Sequence, residues 1–201
     1  MVRYHYEKWL FVLFFKKTKK EEIDLTIEEI ELCCDNVRKK YNIIVPFEDG
    51  YELVYKMNGH IRESTEISDD CVGVIKKYNQ SFWITLNANI SEDCKKVAIA
   101  QLIGILCLYT PYENDEEMWN KYPEMNLEIT EEMLENGLYF AKELLMPKYL
   151  FEVYFCENIT IAHKINLKIL ANIFNVPVGL VRSRGIDLKM IVPKQEQKVS
   201  V

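Results

Sequence analysis

The stretch Lys95–Leu108, KKVAIAQLIGILCL, decides the fold because it reads as a helix that is apolar on almost every side. After its two lysines only Gln101 is strongly polar, and small residues such as Ala100 and Gly104 let neighbouring elements approach closely. Ser91 stands at the helix N-cap position, with two acidic residues in the first turn to favour the helix dipole. A helix of this kind belongs in the middle of a hydrophobic core.

Cap and stop signals predict further helices on both sides of this central one. Thr26 and Glu29 form a capping box, Thr130 stands before another amphipathic run, and Pro147 follows the end of that run. Near the C-terminus a break at Asn175 separates two short helical runs that resemble a helix-turn-helix pair over residues 167–185. The predicted helices cover residues 27–41, 92–109, 131–145, 148–156, 167–174 and 177–184.

Residues 43–90 show the shorter period of strands, separated by Asp-Gly, Asn-Gly and Asn-Gln turn signals. The predicted strands are residues 43–46, 51–57, 71–77 and 81–86. They form a small, mostly antiparallel sheet, and His60 falls in a connecting turn. Together with the helices, this predicts an α+β fold with a buried central helix and a helical C-terminal part.

The composition limits the chemistry that the chain can carry. The chain has 201 residues, a formal net charge of -6, six cysteines and only three histidines, which are His5, His60 and His163. Six cysteines fall below the density of a disulfide scaffold, so we expect reduced thiols and a cytoplasmic location. The adjacent Cys33 and Cys34 are interpreted as buried filler and not as a metal pair. The scarcity of histidine disfavours zinc hydrolases and Ser or Cys triads.

The N-terminal region contains the apolar run Trp9–Phe15, WLFVLFF. It is too short to span a bilayer, which needs about 20 residues, and lysines follow it where a signal peptide would have a cleavage site. It is either a strand or short helix docked on the core, or an interfacial anchor. We therefore expect an N-terminal extension over residues 1–24, a single domain over 25–193 and a tail over 194–201.

Four segments of the chain carry a recognisable pattern, namely Ile84–Asn87, Lys95–Leu108, Phe140–Pro147 (FAKELLMP) and Leu170–Arg184 (LANIFNVPVGLVRSR). Together they resemble the ImmA/IrrE family of zinc metallopeptidases. Members of that family show a strand ending in Asn, a helix reading FTLAHELGH and a second helix reading EANxFAxxLLMP. The resemblance covers roughly residues 27–190, with FAKELLMP as its most specific part. It implies a zincin-like fold for a single ImmA/IrrE-like domain.

The positions that carry the chemistry of that family are changed in this chain. In HExxH, two histidines bind zinc and the glutamate takes a proton from the metal-bound water. Here Gln101 and Ile105 replace the histidines, and Leu102 replaces the glutamate. The family's third ligand, a glutamate on the second helix, falls on Leu134 or Asn136. The resemblance therefore implies a degenerate member with no catalytic residue, no bound metal and no other cofactor.

Three functions remain open from the sequence. The first is a pseudo-metallopeptidase that binds a regulatory protein, which family analogy suggests is a helix-turn-helix repressor of a mobile element. The second is a DNA-binding regulator, because residues 136–201 carry nine basic and five acidic side chains and could place Lys168, Arg182 and Arg184 against a duplex. The third is an active zinc peptidase with an unrecognised metal site. His163 is interpreted as a surface or helix-start residue.

Overall fold

The structure is a computed structural model that describes residues 25–47, 49–69, 71–121, 129–159 and 165–193. These ranges contain eight helices and three strands, so the predicted α+β class is confirmed. The helices are α1 Ile27–Lys40, α2 Gly50–Lys56, α3 Glu92–Tyr109, α4 Glu116–Lys121, α5 Glu131–Leu145, α6 Lys148–Glu157, α7 Leu167–Phe174 and α8 Val178–Asp187. The strands are β1 Gly59–Ser64, β2 Gly73–Tyr78 and β3 Ser81–Asn87.

Some of the sequence predictions concern residues outside these ranges. The N-terminal extension 1–24 with its apolar run Trp9–Phe15, and the tail 194–201, lie outside the described residues, as do His5 and His163. Within the described ranges, no helix combines the length and the apolarity that crossing a membrane requires.

The helix boundaries agree closely with the capping signals in the sequence. The Thr26 hydroxyl accepts a hydrogen bond from the Glu29 amide at 3.2 Å, and the Glu29 carboxylate accepts one from the Thr26 amide at 2.8 Å. Thr130 caps α5 in the same way by accepting from the Met133 amide at 3.2 Å. The Ser91 side chain makes no cap hydrogen bond, although α3 begins directly after it. The six predicted helices are therefore all present.

Two of the predicted strands are wrong. Residues 51–57 lie mainly in helix α2, and residues 43–46 belong to no strand. Asp49 explains the helix, because its carboxylate accepts hydrogen bonds from the amides of Tyr51 and Glu52 at 2.8 and 3.2 Å. The buried side chains Leu53 and Met57 then stand four residues apart on one helical face. A further short helix, α4, lies between α3 and α5, where none of the predicted helices falls.

The sheet is mixed and not mostly antiparallel. Its strand order is β1-β3-β2, with β1 parallel to β3 and β2 antiparallel to β3. The antiparallel pair is joined by a tight turn at Asn79 and Gln80, where Asn79 has a φ of 53°. Strand β1 was missed by the sequence prediction, so His60 lies in a strand and not in a turn.

Helix α3 lies in the centre of the core, as predicted. It packs on the inner face of the sheet and also against α5, and its side chains belong to one continuous buried cluster that reaches α8. Gly104 permits the close approach of α5, because a methyl group in its place would lie 2.8 Å from the Phe140 side chain. Other elements cover α3 on every side, which explains why its side chains are apolar on every face.

A buried ion network connects two helices of the C-terminal half, α5 and α8, to α1. Glu143 of α5 is the centre of this network, and its carboxylate pairs with Arg38 at 3.1 Å and with Arg184. Arg184 of α8 is fully buried, and its Nε donates to the Met146 carbonyl at 3.2 Å. Arg38 also donates to the Glu143 carbonyl at 2.7 Å. These contacts hold α1, α5 and α8 together.

Replacing Glu143 with alanine should destabilise the protein strongly. The Glu143→Ala variant leaves the Arg184 guanidinium buried without its counter-ion, and breaking a buried pair in this way costs about 3–5 kcal/mol. Urea unfolding at pH 7 measures the change in the free energy of unfolding. As a matched control, Glu152→Ala on the exposed face of α6 should change that free energy by less than about 0.5 kcal/mol. A loss below about 1 kcal/mol for Glu143→Ala would contradict the role assigned to the network.

Candidate functional site

The two helices that would carry a zinc site in the resembling family pack directly on each other. Gln101 and Ile105 of α3 both lie against Gly137 of α5. A methyl group at Gly137 would stand 2.7 Å from Ile105 Cγ1 and 3.0 Å from the Gln101 carbonyl oxygen. The Gln101 side-chain amide donates to the Leu134 carbonyl at 2.9 Å. The structure therefore brings Gln101, Ile105 and Leu134 together.

Leu102 and Asn136 take separate positions around this contact. Leu102 is buried beneath the sheet, where a methyl group at Gly73 of β2 would lie 3.3 Å from its Cδ1. Asn136 is on α5, and its side-chain amide donates to the Tyr109 hydroxyl at 2.5 Å. Of the two predicted positions for a third ligand, Leu134 is therefore the one beside Gln101.

The residues at these positions do not fit a zinc ion. Protein zinc sites use three or four nitrogen, sulfur or carboxylate oxygen ligands. Ile105 is fully buried and Leu102 nearly so, and neither has a donor atom. The Gln101 amide group is engaged with the backbone of α5. Across the described ranges, no group of three or more His, Cys, Asp or Glu side chains is placed to hold a metal ion.

The glycine at 137 is a feature of this contact that the sequence analysis missed. A glycine inside a helix costs about 1 kcal/mol relative to alanine, so its presence calls for a packing reason. In α5 that reason is the approach of Ile105 and the Gln101 backbone. An interior glycine in the run ENGLYFA was the signal that could have located the contact.

Of the three side chains on the C-terminal helices that were predicted to contact nucleic acid, two are exposed and one is buried. Lys168 of α7 is exposed and Arg182 of α8 is exposed, as a nucleic-acid contact requires. Arg184 is fully buried and ion-paired with Glu143, so the prediction that it contacts DNA is wrong. The physical reason is that α8 turns this side chain towards α5, where a buried carboxylate neutralises it.

The adjacent cysteines lie on the inner side of α1. Cys34 is fully buried, and burial raises the pKa of its thiol well above the ordinary value. Cys33 is half-buried, and burial, with a smaller contribution from the Glu113 carboxylate, raises the pKa of its thiol to about 11. Both thiols are therefore protonated near neutral pH, which agrees with a packing role.

Comparison of the chain with models of known protein families and with curated protein sequences finds no match. The likeness to the ImmA/IrrE family thus stays a prediction that depends on the residues quoted above.

Replacing Gly137 with alanine should destabilise the protein, although alanine is the better helix former. In an open helix this change would stabilise by up to about 1 kcal/mol. Here the new methyl group overlaps Ile105, and overpacking typically costs about 1–3 kcal/mol. Combining Gly137→Ala with Ile105→Ala removes the overlap with the Ile105 side chain and leaves the 3.0 Å approach to the Gln101 carbonyl oxygen, so the two changes should cost less together than the sum of their separate costs. Thermal unfolding of the four proteins gives the coupling, and additive costs would contradict the contact.

The cysteines should differ in their reactivity towards alkylation. With a pKa of about 11, Cys33 holds about one thiolate in a thousand at pH 8. We expect iodoacetamide to modify the exposed Cys156 first, and modification of Cys33 to accelerate about tenfold per pH unit up to pH 11. Because the pKa of Cys33 is raised by folding, its contribution to stability is lost as the pH rises above the ordinary thiol value. Mass spectrometry of the peptides measures both rates, and a Cys33 rate that levels off by pH 9 would contradict the raised pKa.

Proposed function

We propose that this protein is a catalytically inactive relative of the ImmA/IrrE zinc metallopeptidases and acts in the cytoplasm as a regulatory protein-binding module. The proposal depends mainly on one observation, the packing of Gln101 and Ile105 against Gly137. At the positions where the enzymes would hold zinc, two helices meet through an apolar side chain and a glycine. The partner that this resemblance favours is a helix-turn-helix repressor of a mobile element.

Two alternative functions, an active zinc peptidase and a DNA-binding regulator, are less well supported than a protein-binding module. A working peptidase needs a metal-bound or otherwise activated water, and the residues at the HExxH positions offer neither ligands nor a general base. A DNA-binding role through α7 and α8 loses Arg184, the side chain that Glu143 neutralises. A protein that keeps the helices of the family but lacks its reaction can still bind a partner, so we assign binding as its function.

Zinc binding tests the first half of the proposal. We expect purified protein dialysed against zinc to retain less than about 0.1 equivalents by elemental analysis, because a zinc site needs at least three ligands. The Gln101→Ala and Asn136→Ala variants serve as matched controls and should give the same value. Stoichiometric zinc that disappears in either variant would overturn the proposal.

Binding to a repressor tests the second half. The purified protein is titrated into a purified helix-turn-helix repressor from the same mobile element, in the presence of zinc, and complex formation is measured by calorimetry. We expect a complex of micromolar affinity or tighter in which the repressor stays full length. Absence of binding at about 50 µM, well above the range of specific regulatory complexes, would overturn this assignment. Cleavage of the repressor that a chelator blocks would establish an active peptidase instead.

A further inference from the structure

The outer face of the sheet carries aromatic and basic side chains. Because side chains alternate along a strand, the residues that face away from α3 include His60 and Arg62 of β1, Lys76 and Tyr78 of β2, and Trp83 of β3. All five are exposed, and none of the strand residues that share this face is acidic. We call these five residues the sheet platform.

The register of the strands brings the sheet platform into one continuous surface. His60 and Lys76 stand directly opposite Trp83 on its two sides. The His60 ring stacks on the Trp83 ring, with 4.7 Å between their centroids and 26° between their planes. The Arg62 guanidinium lies 5.9 Å from the Trp83 ring centroid, and its Nε donates to the Thr85 hydroxyl at 3.1 Å. This hydrogen bond fixes a cation beside an aromatic ring.

The exposure of the two large aromatic rings calls for an explanation. Trp83 is 38% exposed and Tyr78 is 56% exposed, although the same strands bury Phe82 and Ile84 completely on the inner face. The local charge is positive, from Arg62 and Lys76, in a chain whose net charge is -6. Aromatic rings and cations that share an exposed sheet face are the chemistry of a surface for a polyanion with planar groups.

We propose that the sheet platform binds single-stranded nucleic acid. Tyr78 is opposite Ser81, two residues along β3 from Trp83, and such diagonal neighbours are about 7–8 Å apart. Two bases of one strand can therefore stack on the Tyr78 and Trp83 rings, while Arg62 and Lys76 contact the phosphates on either side. The sequence of the strand matters little, because every base has a face that can stack.

The geometry favours a single strand over a duplex or an acidic peptide. The faces of paired bases are covered by their neighbours in a duplex, so the exposed parts of the Trp83 and Tyr78 rings would have no base to stack on. The carboxylates of an acidic peptide could pair with Arg62 and Lys76 but would not stack on the exposed parts of the two rings. The sheet platform lies on the opposite side of the sheet from α3, so this inference is independent of the function proposed for the contact between α3 and α5.

Binding of labelled 15-nucleotide strands tests the inference. Fluorescence anisotropy of fluorescein-labelled oligo-dT and oligo-rU is measured with the full-length protein at about 50 mM salt, where phosphate contacts are strong. We expect both strands to bind, and a duplex of the same length to bind at least about tenfold more weakly. Absence of binding, or equal binding of the duplex, would overturn the proposal.

Variants locate the binding on the sheet platform. Trp83→Ala should weaken binding by at least about tenfold, because each base stacked on an aromatic ring contributes that much, and Trp83→Phe should restore most of it. Arg62→Gln should lower the slope of log K against log salt by about 0.7, the value for one lost phosphate contact on a single strand. Two exposed residues of α6 provide matched controls, since Tyr149→Ala and Lys148→Gln should leave binding unchanged.

Two results with these variants would overturn the assignment. The first is binding that Trp83→Ala and Arg62→Gln leave unchanged while circular dichroism shows both variants folded. The second is displacement of the oligonucleotide by poly-glutamate at equal charge concentration, which would make the surface a general anion site. Should Trp83→Ala fail to fold, Arg62→Gln and Lys76→Gln decide the matter, because both change exposed polar positions.

Discussion

The close contact between α3 and α5 is the constraint on which the rest of the structure depends. Helix α3 has no polar face, so it is stable only when other elements cover it on every side. The sheet covers one side, and α5 can cover another only because Gly104 and Gly137 let the two helices approach. This approach places the α5 backbone at Gly137 directly against Gln101 and Ile105. The arrangement that completes the core thus brings the two helices into contact at the positions that would carry the metal in the resembling family.

The ion network at Glu143 fixes the relative positions of three helices, which hydrophobic burial alone would leave less specific. Taking three charges out of water is costly, and only good geometry offsets the cost. Each partner here comes from a different helix, with Arg38 on α1, Glu143 on α5 and Arg184 on α8. The Arg184 guanidinium also lies 5.4 Å from the Tyr139 ring. A slip of any one of these helices would bury an unpaired charge, so the network fixes their relative positions.

Six of the eight helices in the described residues could be predicted from the sequence, but the pairing of the strands and part of the site could not. Helix ends are determined by neighbouring residues such as Thr26 and Glu29, and local signals are what a sequence displays best. The segment 51–57 looked like a strand because its apolar residues fit both periods, and only the cap at Asp49 decides for a helix. The burial of Arg184 depends on Glu143, which is 41 residues away in the chain. No local pattern indicates such a pairing.

The distribution of charge in space differs from its distribution along the chain. Basic residues concentrate near the C-terminus of the sequence, yet two of that region's cations are used internally, since Arg184 pairs with Glu143 and Lys142 pairs with Asp187. Strand β1 carries Arg62 and Glu63 and strand β2 carries Lys76 and Lys77, so neither strand contains a long basic run. Because strand pairing places Arg62 and Lys76 on one face beside Trp83, with no carboxylate from the strands on that face, a positive aromatic surface arises there. The surface best suited to a nucleic acid is therefore produced by strand register and not by local enrichment in basic residues.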